Sequence, residues 1–261
     1  MTLQIDTENF TRFALSLADA SAQVILPLFR KNILIDVKTS LDWDPVTEAD
    51  RSAERVIREI IEKTYPDHRI IGEEYGIKTG SSAYTWILDP IDGTRSFVIG
   101  MPTWATLIGL YRDEKPFLGV MNQPFVKEKF FGNSEGAWLE HRGQTSPLHV
   151  RQSVSLKNAS AGTTSPHLYR DHAAFPTMQK KVTSMRYGGD AYFFALVGAG
   201  QLDIAMDPGL QIYDIAALIP IITGAGGVIG TWTDNDPSQG GNVMAASSQE
   251  LLDEAIAAMK G

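Results

Sequence analysis

Two carboxylates follow a short apolar run in the segment 86–97, which reads Trp-Ile-Leu-Asp-Pro-Ile-Asp-Gly-Thr-Arg-Ser-Phe. The first three residues are typical of a buried strand, and Asp89 with the following Pro is expected to end it. Asp92 begins a turn, and Thr94 is expected to open a helix. Carboxylate and carbonyl oxygens are ligands that Mg²⁺ takes, and free N–H groups at a helix start bind anions. The segment therefore offers one place for a divalent cation and a phosphate.

Four further acids are candidates for the same site, although each has a simpler structural explanation. Asp50 follows Val-Thr-Glu-Ala, where it fits a capping box at a helix start. Glu73 and Glu74 follow a predicted strand, where single acids are usually solvated loop charges. Asp214 lies in the first turn of a predicted helix, where the helix dipole alone favours a carboxylate. Likewise, Asp92 taken singly fits a simple cap, so only convergence of these acids would indicate a metal site.

The composition excludes several functional classes. The chain has 261 residues, of which 43% are hydrophobic and 21% charged, and its formal net charge is −8. This acidic balance argues against a nucleic-acid partner, although bound cations would still allow a small phosphorylated substrate. The lack of Cys excludes disulfides, thiolate chemistry and zinc–sulfur sites. Because we find neither a signal pattern nor a bilayer-length apolar run, we expect a cytoplasmic protein with no membrane partner.

The part of the chain up to about residue 150 is predicted to form an antiparallel sheet with two helices. The helices are expected at 6–31 and 47–65, because apolar residues there recur with helical spacing. A polar loop is expected at 38–45. The predicted strands lie at 33–37, 67–71, 101–110, 115–121, 127–132, 137–140 and 145–150. This arrangement predicts an N-terminal half, 1–150, that holds most of the candidate acids.

Beyond residue 150 the pattern changes to an alternation of strands and helices, which is typical of a parallel α/β sheet. Strands are predicted at 159–162, 182–186, 202–206, 228–229 and 243–246. Helices are predicted within 168–178, at 190–199, from about 213 to 223 and at 248–260. We therefore expect a C-terminal half, 151–261, that completes the site with Asp214. Covalent Ser hydrolysis is not expected, because the sequence contains no Gly-x-Ser-x-Gly.

The candidate acids occur in an ordered set of motifs that covers nearly the whole chain. These motifs are Val46-Thr47-Glu48-Ala49-Asp50, Gly72-Glu73-Glu74, Asp89-Pro90-Ile91-Asp92-Gly93-Thr94, and Tyr213-Asp214 before an apolar helix and Gly226-Gly227. The set resembles the inositol monophosphatase-like family of Mg²⁺-dependent, lithium-sensitive phosphatases. Each motif alone is weak, whereas the ordered set is specific. The resemblance implies an α/β (α+β) fold, layered as an α-β-α-β-α sandwich of the inositol monophosphatase and fructose-1,6-bisphosphatase type, and a homodimer.

The resemblance also assigns roles to individual residues. The implied metal ligands are Glu73, Asp89, Asp92, Asp214 and the main-chain carbonyl of Ile91, with Glu74 and Asp50 as outer ligands. The implied phosphate-binding groups are the N–H groups of Gly93 and Thr94. The implied catalytic residues are Glu73, Thr94 and Asp50, with two or three Mg²⁺ ions in each site. Phosphate monoesters hydrolyse very slowly, so a metal-activated water and neutralised charge suit this chemistry.

The substrate expectation depends on a second set of residues. The segments Asp-Gly-Thr-Arg-Ser-Phe, Arg-Tyr-Gly-Gly-Asp at 186–190 and Ala-Leu-Ile-Pro at 217–220 are similar to the histidinol-phosphate phosphatase branch. The candidate substrate-binding residues are Arg95, Arg186, Gly189, Asp190 and Asp207. An amine-bearing substrate would gain a charge-assisted hydrogen bond from a carboxylate such as Asp190 or Asp207. Alternatively, Asp190 only caps the helix after Gly189.

Two other functions stay open on the sequence alone. The first is hydrolysis of inositol 1-phosphate or another small sugar or polyol phosphate. The second is a non-catalytic, metal-binding regulatory role that keeps the fold without turnover. The complete set of acids together with Thr94 favours an enzyme that acts on a small phosphorylated metabolite.

Overall fold

A computed structural model of the chain describes residues 2–31, 35–37, 45–152, 154–169, 173–233 and 235–260. The predicted strand at 33–37 is described only as 35–37, and most of the predicted loop at 38–45 lies outside the described residues. Within the described ranges, we find no helix with the length and apolar content needed to cross a bilayer.

The described residues of the first half form three α-helices and ten strands. The helices are α1 (Thr2–Ile25), α2 (Glu48–Thr64) and α3 (Thr94–Val98). The strands are β1 (Ile35–Val37), β2 (Pro45–Thr47), β3 (Arg69–Gly72), β4 (Gly76–Lys78), β5 (Tyr84–Asp92), β6 (Ala105–Arg112), β7 (Lys115–Gln123), β8 (Glu128–Asn133), β9 (Gly136–His141) and β10 (Gln144–Pro147). Helix α1 ends at Ile25, two residues before Pro27, and not near residue 31 as predicted, because Pro interrupts helical hydrogen bonding.

In the second half, the part of the chain that the structure describes forms five α-helices and five strands. The helices are α4 (Phe175–Lys181), α5 (Asp190–Gly198), α6 (Ile212–Ile215), α7 (Leu218–Gly224) and α8 (Gln249–Lys260). The strands are β11 (Ser160–Thr163), β12 (Ser184–Tyr187), β13 (Ile204–Leu210), β14 (Val228–Thr231) and β15 (Gly241–Ala246). The single helix predicted at about 213–223 is therefore two short helices.

The larger sheet has the strand order β10-β9-β8-β7-β6-β5-β3-β4. Its pairs are antiparallel except β3 with β5, so the predicted meander is confirmed. The smaller sheet has the order β12-β11-β13-β15-β14. Its first three strands are parallel, but β15 runs antiparallel to β13 and to β14. The expectation of a parallel sheet is wrong for β15, because the chain turns back after β14 and inserts β15 between β13 and β14, antiparallel to both.

Strand β5 does not end at Asp89, as the sequence suggested. It continues to Asp92 with an irregularity, since Asp89 lies opposite Leu107 and Asp92 lies opposite Ala105. Three residue steps on β5 therefore match two steps on β6, which is the signature of a β-bulge. Pro90 sits within the bulge, where its missing N–H is tolerated. Side chains alternate along a regular strand, so the extra residue allows both acids to face the same side.

The two sheets and their helices form five layers around three main apolar clusters. Helices α1 and α2 cover the outer face of the large sheet, α5 and α7 lie between the sheets, and α4 and α8 cover the far face of the small sheet. The central cluster joins residues of both halves, such as Leu107 and Met121 with Phe194 and Ile221. The predicted α/β sandwich is therefore confirmed.

Helix α7 approaches the large sheet so closely that two strands need glycine beneath it. A Cβ atom on Gly119 would lie 1.8 Å from the Ala217 carbonyl oxygen, and one on Gly132 would lie 2.4 Å from the Pro220 carbonyl oxygen. Because α6 directly precedes α7, this contact also fixes the short helix that carries Asp214.

We expect Gly119→Ala to lower the free energy of unfolding by about 1–3 kcal/mol, because the added methyl group overpacks a backbone contact. Urea unfolding of the purified variant measures this change. Ser134→Ala, at an exposed position in the β8–β9 turn, is the control and should be close to neutral. An unchanged stability of Gly119→Ala would contradict the close approach of α7.

Candidate active site

Three aspartates from distant parts of the chain converge at the bulged end of β5. Carboxylate oxygens of Asp89, Asp92 and Asp214 all lie within 4.8 Å of one another. Asp89 accepts a hydrogen bond from the Ile91 N–H at 3.0 Å, which holds its carboxylate beside its own backbone. The acids that the sequence placed 125 and 122 residues from Asp214 therefore meet in one cluster.

Asp92 does not cap the helix that follows it. The N-cap position of α3 is Gly93, whose φ of 78° lies in the left-handed region that glycine adopts without strain, and no side chain caps it. Instead, an Asp92 carboxylate oxygen accepts the Ala191 N–H of α5 at 2.7 Å. Asp92 thus joins the end of β5 to the start of a helix from the second half of the chain.

Asp214 has the predicted helix-start role and also a place in the cluster. It is the third residue of α6, and one of its oxygens accepts the Gln211 N–H at 2.7 Å in a capping box. The structural explanation and the metal explanation are therefore compatible, because a carboxylate has two oxygens and several lone pairs.

Glu73 and Glu74 occupy different places. Glu73 lines the same cleft as the three aspartates, and its N–H donates to the Leu88 carbonyl at 3.2 Å. Glu74 is not among the residues that line the cleft. Its N–H donates at 2.8 Å to Glu54, a fully buried acid of α2 that the sequence reading did not select.

The cluster is electrostatically unfavourable for bare carboxylates. Burial, and then the charges of Glu73, Asp92 and Asp214, raise the pKa of Asp89 well above its usual range. Burial, and then the charge of Asp190, raise the pKa of Asp92 in the same direction. A buried set of hard oxygen donors with this repulsion fits a divalent cation such as Mg²⁺. Glu73, Asp89, Asp92, Asp214 and the Ile91 carbonyl oxygen are the groups available to hold it.

A hydroxyl–carboxylate pair lies beside the cluster. The Thr94 hydroxyl lies 3.0 Å from the Ile91 carbonyl and 3.3 Å from Asp50 Oδ1, with geometry for donation to either oxygen. The other Asp50 oxygen accepts the N–H and the hydroxyl of Thr47, as the predicted capping box requires. Burial raises the pKa of Asp50 to about 6, against the lowering effect of these Thr47 hydrogen bonds. Asp50 therefore both caps α2 and contacts Thr94.

The far side of the cleft carries two acids and one arginine. The cleft encloses about 240 Å³ and is lined on this side by Arg95, Asp190 and Asp207. The Asp190 carboxylate accepts the Ser96 hydroxyl at 2.9 Å, and Asp190 has a φ of 45°, which is uncommon for a residue with a side chain. Asp190 is the first residue of α5, and no side chain caps this helix. The alternative in which Asp190 only caps the helix is therefore wrong.

Asp207 is more fully engaged than Asp190. It accepts the Thr163 hydroxyl at 2.6 Å and the N–H and hydroxyl of Thr164 at 2.9 and 2.8 Å. Burial nevertheless raises its pKa to about 7. The predicted residue Gly189 packs against the Phe193 ring, which a Cβ atom there would meet at 2.4 Å, and it is not among the lining residues. Arg186 is exposed on β12 and is not among the lining residues.

Four lining residues were missed by sequence reasoning, namely Thr164, Leu168, Pro208 and Leu210. Thr164 directly follows β11, whose carboxyl end lies beside the parallel strand β13. Ligands commonly bind beyond the carboxyl ends of parallel strands, so this position was the one available signal. The other three are apolar residues with no motif that marks them.

The geometry agrees with the comparison of the chain with known proteins. The model of the inositol monophosphatase family matches residues 6–260. The chain belongs to the inositol monophosphatase family. Its members are phosphoric monoester hydrolases and are generally Mg²⁺-dependent, so the chain is an enzyme of this phosphatase class.

Three relatives illustrate the range of the match. The chain is 38% identical to the bifunctional phosphatase IMPL2 of Arabidopsis thaliana, with 98% of this chain and 77% of that protein covered. It is 33% identical to a histidinol-phosphatase of Streptomyces coelicolor, with 94% of each covered. A solved inositol monophosphatase from Zymomonas mobilis superimposes with a TM-score of 0.85 and 36% identity, over 97% of this chain and 98% of that chain.

The raised pKa values predict how pH and Mg²⁺ act on stability. Asp89 and Asp92 hold protons in the folded protein at pH values where the unfolded chain has lost them. The metal-free protein should therefore lose stability as pH rises above the ordinary Asp pKa of about 4. Mg²⁺ binds the deprotonated acids, so it should raise the melting temperature more at about pH 8 than at about pH 5.5.

Thermal unfolding in EDTA and in Mg²⁺ at both pH values measures the effect. Asp92→Asn should flatten the pH dependence, and Asp113→Asn, at an exposed turn position, should leave it unchanged. An equal effect of Mg²⁺ at the two pH values would contradict metal binding by the buried acids.

Proposed function

We propose that this phosphatase hydrolyses histidinol phosphate, a small phosphate monoester that also carries an amine. The single observation that carries the proposal is that Asp190 lines the same cleft as the acid cluster, with its carboxylate beside Gly93. A polyol needs neutral hydrogen bonds, whereas an ammonium group gains from a carboxylate partner.

The proposed metal ligands are Glu73, Asp89, Asp92, Asp214 and the Ile91 carbonyl, with Glu74 and Asp50 further out and two or three Mg²⁺ ions in each site. Bound Mg²⁺ would supply charge neutralisation and a lowered pKa for the attacking water. Sensitivity to lithium is proposed from the family resemblance alone. The N–H groups of Gly93 and Thr94 are proposed to bind the phosphate.

The chain's own residues supply orientation and proton transfer. Glu73 and the Thr94 hydroxyl are proposed to orient the attacking water, because both line the cleft beside the acid cluster. A proton that reaches Thr94 can pass to Asp50 Oδ1, which is 3.3 Å away. The raised pKa of Asp50, about 6, suits a carboxylate that accepts a proton near neutral pH.

Asp190 is suited to an ammonium group by its surroundings. Burial raises its pKa, while hydrogen bonds from Ser96 and Thr164 and the charge of Arg95 lower it. A cationic group of the substrate would further favour the charged form. Asp207 would act through Thr164, which it holds by two hydrogen bonds.

The relatives support this proposal and also define its alternative. One relative is named a histidinol-phosphatase, and another is named a bifunctional phosphatase. The solved Zymomonas mobilis protein is described as an inositol monophosphatase. Inositol 1-phosphate is therefore the comparison substrate.

We also propose that the enzyme is a homodimer, as the family resemblance implies, and that it is cytoplasmic. Three large apolar side chains, at Ile99, Met101 and Phe125, form an exposed patch. Arg30 connects the members of this patch. Its guanidinium lies 4.6 Å from the Phe125 ring centroid, and its Nε donates to the carbonyl of Gly100, the residue between Ile99 and Met101. Such a patch is suited to an interface between two copies.

We expect the wild-type enzyme with Mg²⁺ to have a higher kcat/KM for histidinol phosphate than for inositol 1-phosphate, measured side by side. Asp190→Asn keeps the side-chain shape and an acceptor for Ser96 but removes the charge. It should lower kcat/KM for histidinol phosphate about 10- to 100-fold, as for loss of a charged hydrogen bond, and lower that for inositol 1-phosphate less.

The control for this experiment is Asp67→Asn, which removes an exposed charge outside the cleft. A wild-type preference for inositol 1-phosphate would overturn the proposed substrate. Equal losses on both substrates in Asp190→Asn would mean that Asp190 is structural and does not select the amine.

Ile99→Glu should convert the proposed dimer into a monomer, because Ile99 is 65% exposed and a buried unpaired charge is unfavourable. Analytical ultracentrifugation measures the mass. Ile77→Glu, at an Ile on β4 that is 60% exposed, is the matched control and should stay dimeric. A wild-type monomer, or a dimer that survives Ile99→Glu, would count against this interface.

A further inference from the structure

Helix α2 presents three charged side chains on one face, and all three contact segments that carry proposed active-site residues. Asp50, Glu54 and Arg58 are spaced by four residues, so they lie one above another along the helix. Asp50 contacts Thr94, as described above. Glu54 and Arg58 have no assigned role, and both contact the segment 72–76 that carries Glu73 and Glu74.

Glu54 binds this segment through its backbone. The Glu54 carboxylate accepts the Glu74 N–H at 2.8 Å and the Tyr75 N–H at 3.2 Å. The side chain of Glu54 has no exposed surface, so these bonds are made without competition from solvent. The next glycine, Gly76, receives a hydrogen bond on its carbonyl oxygen from the Arg58 guanidinium.

Glu54 and Arg58 also neutralise each other. Arg58 Nε lies 2.7 Å from the Glu54 carboxylate, and the Arg58 side chain is only 11% exposed. A buried carboxylate without a partner would be strongly unfavourable, and the arginine supplies that partner. The pair can therefore hold the segment without adding net negative charge beside the acid cluster.

The backbone before Glu73 is shaped to accept the Glu54 carboxylate. A Cβ atom on Gly72 would lie 2.0 Å from Glu54 Oε1, so a side chain at position 72 would displace the acid. On the other side, the Glu73 N–H donates to the Leu88 carbonyl of β5. The peptide groups on either side of Glu73 are thus held, one by the strand that carries Asp89 and the other by α2.

We propose that Glu54 and Arg58 are positioning residues that hold the segment 72–76 so that Glu73 faces Asp89 and Asp92. This inference rests on the proposed metal ligands. In this role, Glu54 and Arg58 control the affinity for Mg²⁺ and do not contact the substrate. Residues that orient metal ligands without binding the metal themselves typically weaken metal affinity by roughly 10- to 100-fold when they are removed.

The test is direct binding of Mg²⁺ alone, measured by isothermal titration calorimetry without substrate. Glu54→Gln and Arg58→Lys should each weaken Mg²⁺ binding roughly 10-fold or more. Hydrogen exchange at the amides of Glu74 and Tyr75 should become faster in both variants, while exchange in the large sheet should stay the same. Glu59→Gln, at an exposed position of α2, is the matched control and should match the wild type in both measurements.

The outcomes separate this inference from the proposed metal site. Wild-type Mg²⁺ affinity and wild-type exchange in both variants would overturn the positioning role. No Mg²⁺ binding by the wild-type protein would instead overturn the proposed ligands. If Glu54→Gln does not fold, the Arg58→Lys variant decides, because it keeps the charge while it shortens the guanidinium fork that reaches both Glu54 and Gly76.

Discussion

The structure depends on how several carboxylates are held together in a buried place despite their repulsion. Each of four acids uses part of its carboxylate to accept a backbone N–H: Asp89 from Ile91, Asp92 from Ala191, Asp214 from Gln211 and Asp50 from Thr47. These N–H groups offset part of the negative charge and fix the direction of each side chain. Lone pairs that remain on each carboxylate are available to a cation or to Thr94.

One of these bonds, together with a second contact, joins the two halves of the chain. Asp92, at the end of β5, accepts an N–H from the first turn of α5, while Asp190 of α5 accepts the hydroxyl of Ser96 in α3. The acceptor of one hydrogen bond belongs to the first half, and the acceptor of the other belongs to the second half. The cleft therefore forms only when both halves are in place. Helix α7, seated on Gly119 and Gly132, fixes the third component by holding α6 against the large sheet.

The sequence was sufficient for whatever depends on local chemistry. The capping box at Asp50, the meander of strands and the ordered acid motifs were all predicted from neighbouring residues. The bulge between Asp89 and Asp92, the left-handed Gly93 and the antiparallel β15 were not, because each depends on a distant strand or helix. Glu54 was missed for the same reason, since its role depends on hydrogen bonds from the N–H groups of Glu74 and Tyr75.

The way in which each acid is held separates the residues proposed for catalysis from the residue proposed for specificity. The acids of the cluster are tied to backbone groups, so altering one of them disturbs folding, charge and metal binding together. Asp190 is tied instead to the side chain of Ser96 and lies at a strained backbone position, with φ of 45°. Strain of this kind persists where the surrounding structure imposes it, often at binding sites. A change at Asp190 can therefore alter the charge offered to the substrate while the acid cluster keeps its framework.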